Sequence, residues 1–193
     1  MGETVASKFL LASMGTQRTS PSCSSSSSYL SSSSSISYLP TLRERHDVFL
    51  NFYGKDTRKS FTDHLYADLK QKGIDVFRDD EKLKRGTYIG RELMKAIRES
   101  KYCNHHPLKN YAFSNWCLDE LTKIMQCMKG TALTVLPVFY HVNPSDVVHH
   151  TGVFAEAFSK YEEDPEVSIE KIKIWRSALR EVGKISGWHL HDR

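Results

Sequence analysis

Asp47-Val48-Phe49-Leu50-Asn51-Phe52, then Phe61-Thr62-Asp63-His64-Leu65-Tyr66-Ala67-Asp68-Leu69, then Ile74-Asp75-Val76-Phe77, set the architecture of this chain. The first block is a short apolar run of strand length. In the second, Phe61, Leu65 and Leu69 recur at helical spacing. Asp56 or Thr57 is placed to cap that helix and Gly73 to stop it. The third block is again a short apolar strand. Strand, helix and strand in this order predict a parallel pair with its crossover helix packed on one face.

The pattern continues downstream. Ile89, Leu93, Ala96 and Ile97 predict a helix, reached through the polar loop 78–87. Leu118, Leu121, Met125 and Met128 share a face of another. Leu133–Tyr140 is the most hydrophobic strand. Pro137 inside it removes a ladder donor, so an edge or a bulge is expected there. Val153, Phe154, Ala157 and Phe158 predict a further helix, and Ile172, Trp175, Leu179 and Val182 the last. The fold class is therefore α/β, a parallel sheet covered on both faces. Ligands of such sheets bind beyond the carboxyl ends of the strands.

Bulk properties narrow the function. The chain has 193 residues, a formal charge of +4, 39% hydrophobic and 26% charged residues, which suits one domain and a tail. Lys and Arg are interspersed with Asp and Glu, which does not point to nucleic acid. No apolar run approaches the roughly 18 residues of a membrane span. Cys23, Cys103, Cys117 and Cys127 form no C-x-x-C pair. Such scattered cysteines fit a reducing compartment, where they act as small apolar residues. His105-His106, His149-His150 and His189-Leu190-His191 lack Cys or carboxylate partners at zinc spacing, so no metal is expected.

Residues 1–45 differ from the rest. Ser dominates 21–37, a composition that cannot bury enough apolar surface to order itself, so a disordered leader is expected. Up to Arg43, Glu3 is its single acidic residue, and a chloroplast transit peptide is the alternative. Ala6 stands where an N-myristoylation signal needs Ser or Thr.

Ser114-Asn115-Trp116-Cys117-Leu118-Asp119-Glu120-Leu121 carries the candidate chemistry. On a helix, Glu120 lies one turn from Trp116 and shares its side. A carboxylate beside an aromatic plate can act on a ring-bearing substrate. A plain exposed Glu and a core Trp are the competing readings.

Taken together, the blocks resemble the TIR domain of plant immune receptors. The matching stretches begin with 46–58, His-Asp-Val-Phe-Leu-Asn-Phe-Tyr-Gly-Lys-Asp-Thr-Arg, followed by Asp79-Asp80 and Leu83-Lys84-Arg85-Gly86. Asn110-Tyr111-Ala112, Trp116–Leu121, Pro137–Tyr140, Val142–Val147 and Ser186-Gly187-Trp188 complete the set. The resemblance runs from 46 to about 188, with a TIR domain over 46–190. It implies a flavodoxin-like sheet of five parallel strands. With no nucleotide-binding or leucine-rich-repeat segment following, a TIR-only protein or truncated receptor is expected.

The resemblance also implies cleavage of NAD⁺ at the nicotinamide–ribose bond, with Glu120 as the catalytic residue, NAD⁺ as substrate and no cofactor. Substrate-binding positions carried over are Phe52, Tyr53, Gly54, Arg58, Arg85, Gly86, Ser114 and Trp116. Gly54 lets backbone approach a phosphate and Arg58 can pair with one. Implied partners are other TIR domains, bound through the Asp63-His64 helix and the C-terminal helix, and downstream plant immune signalling proteins. The implied setting is the cytoplasm, with the nucleus as an alternative. A non-catalytic scaffold or decoy is the alternative function. A phosphate-receiving regulator built on Asp79-Asp80 is disfavoured, because no acidic residue ends a central strand.

The chain departs from the family pattern in places. Tyr53 replaces a usual Arg, Lys55 a usual Glu, and Asp63 the Ser of a Ser-His pair. The largest departure is Lys101-Tyr102-Cys103-Asn104-His105-His106-Pro107-Leu108-Lys109, where the family has an apolar central strand. Asn, His and Pro are poor choices for a strand buried on both faces. Codons for 102–108 read one base later can encode Ile-Ala-Ile-Ile-Ile-Leu-Ser, so a local double frameshift accounts for the change. The gene's nucleotide sequence tests that: a shifted frame that is not apolar refutes it.

Overall fold

A computed structural model of the chain describes residues 46–53, 61–78 and 89–190, together with Ala12. The Ser-rich leader, the Asp56/Thr57 cap and the loop 79–88 lie outside the described residues, as does the Ile89 side chain. The elements run β1 (His46–Asn51), α1 (Phe61–Gln71), β2 (Val76–Phe77), α2 (Ile89–Arg98), β3 (Ser100–His105) and a 3₁₀ turn (Tyr111–Phe113). They continue with α3 (Asn115–Gly130), β4 (Thr134–Tyr140), α4 (Pro144–His149), α5 (Val153–Glu163), α6 (Ile169–Gly183) and β5 (Trp188–Leu190).

The five strands are ordered β2-β1-β3-β4-β5, and every pair is parallel. This is the expected flavodoxin-like architecture. Alternate residues on each strand feed opposite layers, as a two-residue period requires. Val48, Leu50, Val76, Tyr102 and Leu136 pack with Leu65 and Leu69 of α1. Phe49, Phe77, Cys103, Val135 and Phe139 face the larger layer, built on α2, α3, α5 and α6. Cys103, Cys117 and Cys127 are buried in that larger layer, as small apolar residues.

Helix α1 ends as its sequence predicts. Gly73 takes φ 76°, and Ile74 N reaches back to Leu69 O at 3.1 Å. This left-handed stop satisfies end carbonyls of the helix. It also draws Ile74 into the turn, so β2 is shorter than the run 74–77 suggests.

The Pro137 expectation is corrected. β4 is not an edge: β3 pairs with Thr134–Pro137 on one side and β5 with Val138–Tyr140 on the other. Pro137 sits where β5 has not yet begun, so its missing donor leaves no ladder bond broken. Gly187 closes that corner, where an added Cβ would lie 2.4 Å from Pro137 O. The sequence reading did not find β5 or α4.

The polar segment forms the central strand all the same. β3 pairs with β1 from His46↔Ser100 to Asn51↔His105, and every residue from Tyr102 to Leu108 is buried. Its polar groups are partly matched. Asn104 Nδ2 donates to Leu136 O at 2.9 Å, and His106 Nε2 meets Asn104 Oδ1. Because the Asn104 amide nitrogen is committed to a carbonyl, His106 Nε2 carries the proton in that contact. Among the described residues, His105 Nε2 and His106 Nδ1 have no partner. Burial lowers both imidazoles from 6.5 to about 3, and for His105 the neighbouring His106 lowers it further.

Candidate active site

In a 2-1-3-4-5 sheet, the connections leave in opposite directions at β1 and β3, which opens a crevice at their carboxyl ends. Asn51 ends β1 and His105 ends β3, directly opposite each other. Glu120 reaches this point from α3. Ser114 caps that helix, its Oγ accepting from Cys117 N at 3.3 Å. The cap fixes the first turn, which carries Trp116, and Glu120 follows one turn later.

Glu120 is 5% exposed, so the reading of it as a plain solvated helix carboxylate does not describe it. Trp116 Nε1 donates to its Oε1 at 2.7 Å, and Asn51 Nδ2 donates to its Oε2 at 2.8 Å. Donors on both oxygens compensate a carboxylate taken out of water. Trp116 is 46% exposed, so it is not a core residue: its ring edge holds Glu120 while much of the ring remains open to solvent.

Asn51 is itself held from behind. Its Oδ1 lies 2.6 Å from His105 Nδ1 and 2.8 Å from the Tyr111 hydroxyl, which is also 2.8 Å from Cys117 O. The rings of His105 and Tyr111 meet edge to face with centroids 4.9 Å apart. Burial, then the neighbouring Cys117, Glu120 and Cys103, push the Tyr111 hydroxyl well above its ordinary range, so it stays protonated. Burial and Glu120 do the same for the Cys103 thiol.

The structure thus brings Ser114, Trp116 and Glu120 together. Phe52 packs in the core on the α1 side of the sheet, and Tyr53 lies partly buried against the larger layer. Gly54, Arg58, Arg85 and Gly86 lie outside the described residues. Asp63 accepts from Arg78 Nη1, and His64 is exposed. Sequence reasoning missed Asn51, His105 and Tyr111 as parts of the site. The available signal was a polar residue ending each of two buried adjacent strands. Among the described residues, no cluster of three or more His, Cys, Asp and Glu is placed to hold a metal ion. No helix among them is long and apolar enough to cross a membrane.

Comparison with known proteins agrees with the fold. Residues 45–193 match the TIR domain family. Disease resistance protein RPV1 of Vitis rotundifolia is 52% identical over 169 residues, covering 88% of this chain and 12% of that protein. TMV resistance protein N of Nicotiana glutinosa is 47% identical over 145 residues, covering 75% of this chain and 13% of that protein. The chain therefore spans about an eighth of the length of these relatives. Among solved structures, the TIR domains of the activated Roq1 resistosome directly recognising the pathogen effector XopQ superpose with a TM-score of 0.72. They share 48% identity, over 75% of this chain and 87% of theirs. The chain belongs to the TIR domain family.

Proposed function

We propose that this chain is a plant immune signalling domain that cleaves NAD⁺ at the nicotinamide–ribose bond when self-associated. The observation that carries the proposal is the Glu120 carboxylate held at the β1/β3 crevice between Asn51 and a half-exposed Trp116. The bond from ribose C1′ to the pyridinium nitrogen breaks with its electron pair moving to that nitrogen. Nicotinamide then departs neutral and needs no general acid. Positive charge builds on the ribose as in glycoside hydrolysis, and a fixed carboxylate stabilises it. A hydroxyl then bonds to C1′ and gives up its proton, from water in hydrolysis or from the substrate itself in cyclisation. Trp116 offers its exposed face to a ring of the substrate. Tyr53, Gly54, Arg58, Ser114, Arg85 and Gly86 are the proposed substrate-side positions, whereas Phe52 is buried on the α1 side of the sheet. The activated Roq1 assembly supports association through TIR domains, with Asp63, His64 and α6 as the proposed contacts here. The proposed setting is the cytoplasm, with downstream immune signalling proteins as partners.

A second reading, an interaction module without catalysis, draws on one observation: both Glu120 oxygens are already engaged within the chain. The full chain incubated with NAD⁺ separates the two. Glu120→Ala is expected to lower nicotinamide release by about 10²–10³-fold. Equal release by both proteins rejects Glu120 as catalyst. No release by either, with cooperative unfolding intact, favours the interaction module.

A further inference from the structure

We propose that His105 is a positioning residue for Glu120, fixing the side-chain amide of Asn51 and through it the carboxylate. The proposal rests on the reading of Glu120 as the catalytic group.

An Asn side chain has an accepting and a donating end, and the donating end must face Glu120 for the 2.8 Å contact to be a hydrogen bond. Tyr111 cannot enforce this alone. Its single proton has two acceptors at 2.8 Å, Asn51 Oδ1 and Cys117 O. If it donates to Cys117 O, the hydroxyl oxygen could accept from a reversed amide as readily as donate to the present one.

His105 removes that freedom. With Nδ1 protonated, it donates to Asn51 Oδ1 at 2.6 Å, and its partnerless Nε2 is only a lone pair. A reversed amide would need the proton on Nε2, which places an N–H donor in a buried position with no acceptor. Orphaned N–H groups are rarer than under-satisfied acceptors. The reversed amide would also turn its oxygen toward the Glu120 carboxylate. Both penalties act in one direction, so the His105 proton and the Asn51 amide orientation select each other. His106 takes no part: it bonds Asn104 and meets the ring of Phe61.

The test compares the 193-residue chain with its His105→Ile, His105→Asn and His106→Ile variants. The indole N–H resonance of Trp116 reads the bond to Glu120 Oε1, and that of Trp175, which donates to Asp119 Oδ1 at 2.8 Å, serves as an internal reference. In His105→Ile the Trp116 resonance shifts and that of Trp175 stays, while kcat for nicotinamide release falls about tenfold with KM within about twofold. His105→Asn, whose amide nitrogen can occupy the Nδ1 position, restores both. His106→Ile changes neither. If His105→Ile does not fold, His105→Gln moves the donor away while keeping a polar side chain, and is expected to act in the same direction. An unmoved Trp116 resonance in the folded variant, or an equal effect of His106→Ile, overturns the proposal. Absence of nicotinamide release by the wild type would instead count against the enzymatic reading, and the resonances still decide whether His105 positions Glu120.

Discussion

Acid should destabilise this domain unusually steeply, because its central strand buries two neutral imidazoles. The folded values of His105 and His106 are about 3, against about 6.5 in the unfolded chain. As pH falls through 6.5 the unfolded chain takes up protons that the folded chain refuses. Stability fully present above that value is therefore lost progressively as pH falls toward 3. Between pH 7.5 and 5.0 each imidazole removes about 2 kcal/mol, and the pair about 4 kcal/mol. Set against a typical net stability of about 5–15 kcal/mol, that is a large share. It corresponds to a fall in Tm of about 8–16 °C for a domain of this size. His150, buried and also lowered, acts with the same sign. The assay is urea unfolding followed by circular dichroism at both pH values and fixed ionic strength, with His105→Ile/His106→Ile as reference. The double variant removes the pair and leaves every other titration in place, so the difference between the two proteins isolates it. At pH 7.5 the double variant loses two unpartnered buried nitrogens but strips Asn104 Oδ1 of its His106 partner, so its stability there is the balance of the two. A wild-type loss below about 1 kcal/mol, or an equal loss in the variant, refutes the reasoning.

Two substitutions probe the frame around the site. Tyr111→Phe removes a buried hydroxyl but leaves His105 on Asn51, so denaturation should show a loss of about 1–2 kcal/mol while nicotinamide release stays within about threefold. Gly187→Ala puts a Cβ 2.4 Å from Pro137 O, where backbone must shift to admit it. The expected loss is about 1–3 kcal/mol in thermal or urea unfolding, with β5 the element that loosens.

The fold was legible wherever apolar residues kept a clean period. Leu65 and Leu69, Leu118 and Leu121, and Trp175 and Leu179 are all buried where their spacing put them. β5 was not legible because it is short and only partly buried along Trp188–Leu190, which leaves little pattern to read. Pro137 misled because a missing donor says nothing about which side of the strand lacks a neighbour at that register. In the site, Ser114, Trp116 and Glu120 sit close in sequence on one helix start, so their meeting follows from helical geometry. Asn51 and His105 come from separate strands, and their convergence needs the parallel register of β1 and β3, which no local spacing reveals. Phe52 shows the same limit from the other side. It follows Asn51 directly, and strand alternation sends it to the opposite layer.

The altered strand therefore has two opposed effects, and one residue carries both. His105 lowers stability by keeping a polar ring dry and neutral with one nitrogen unmatched. Its other nitrogen fixes Asn51, whose amide holds the Glu120 carboxylate. An apolar residue at this position would relieve the first effect and abolish the second, leaving Tyr111, divided between two acceptors, to orient the amide. His106, on the opposite side of the strand, carries a burden of the same kind with no tie to Glu120. The two neighbours thus separate what a single substitution would confound. A loss of acid sensitivity common to both variants belongs to desolvation, and any change at Glu120 confined to position 105 belongs to the site. Sites that hold a charged group in fixed orientation commonly sacrifice stability to do so. Here that sacrifice is confined to the junction of β1 and β3, where the topology opens the crevice.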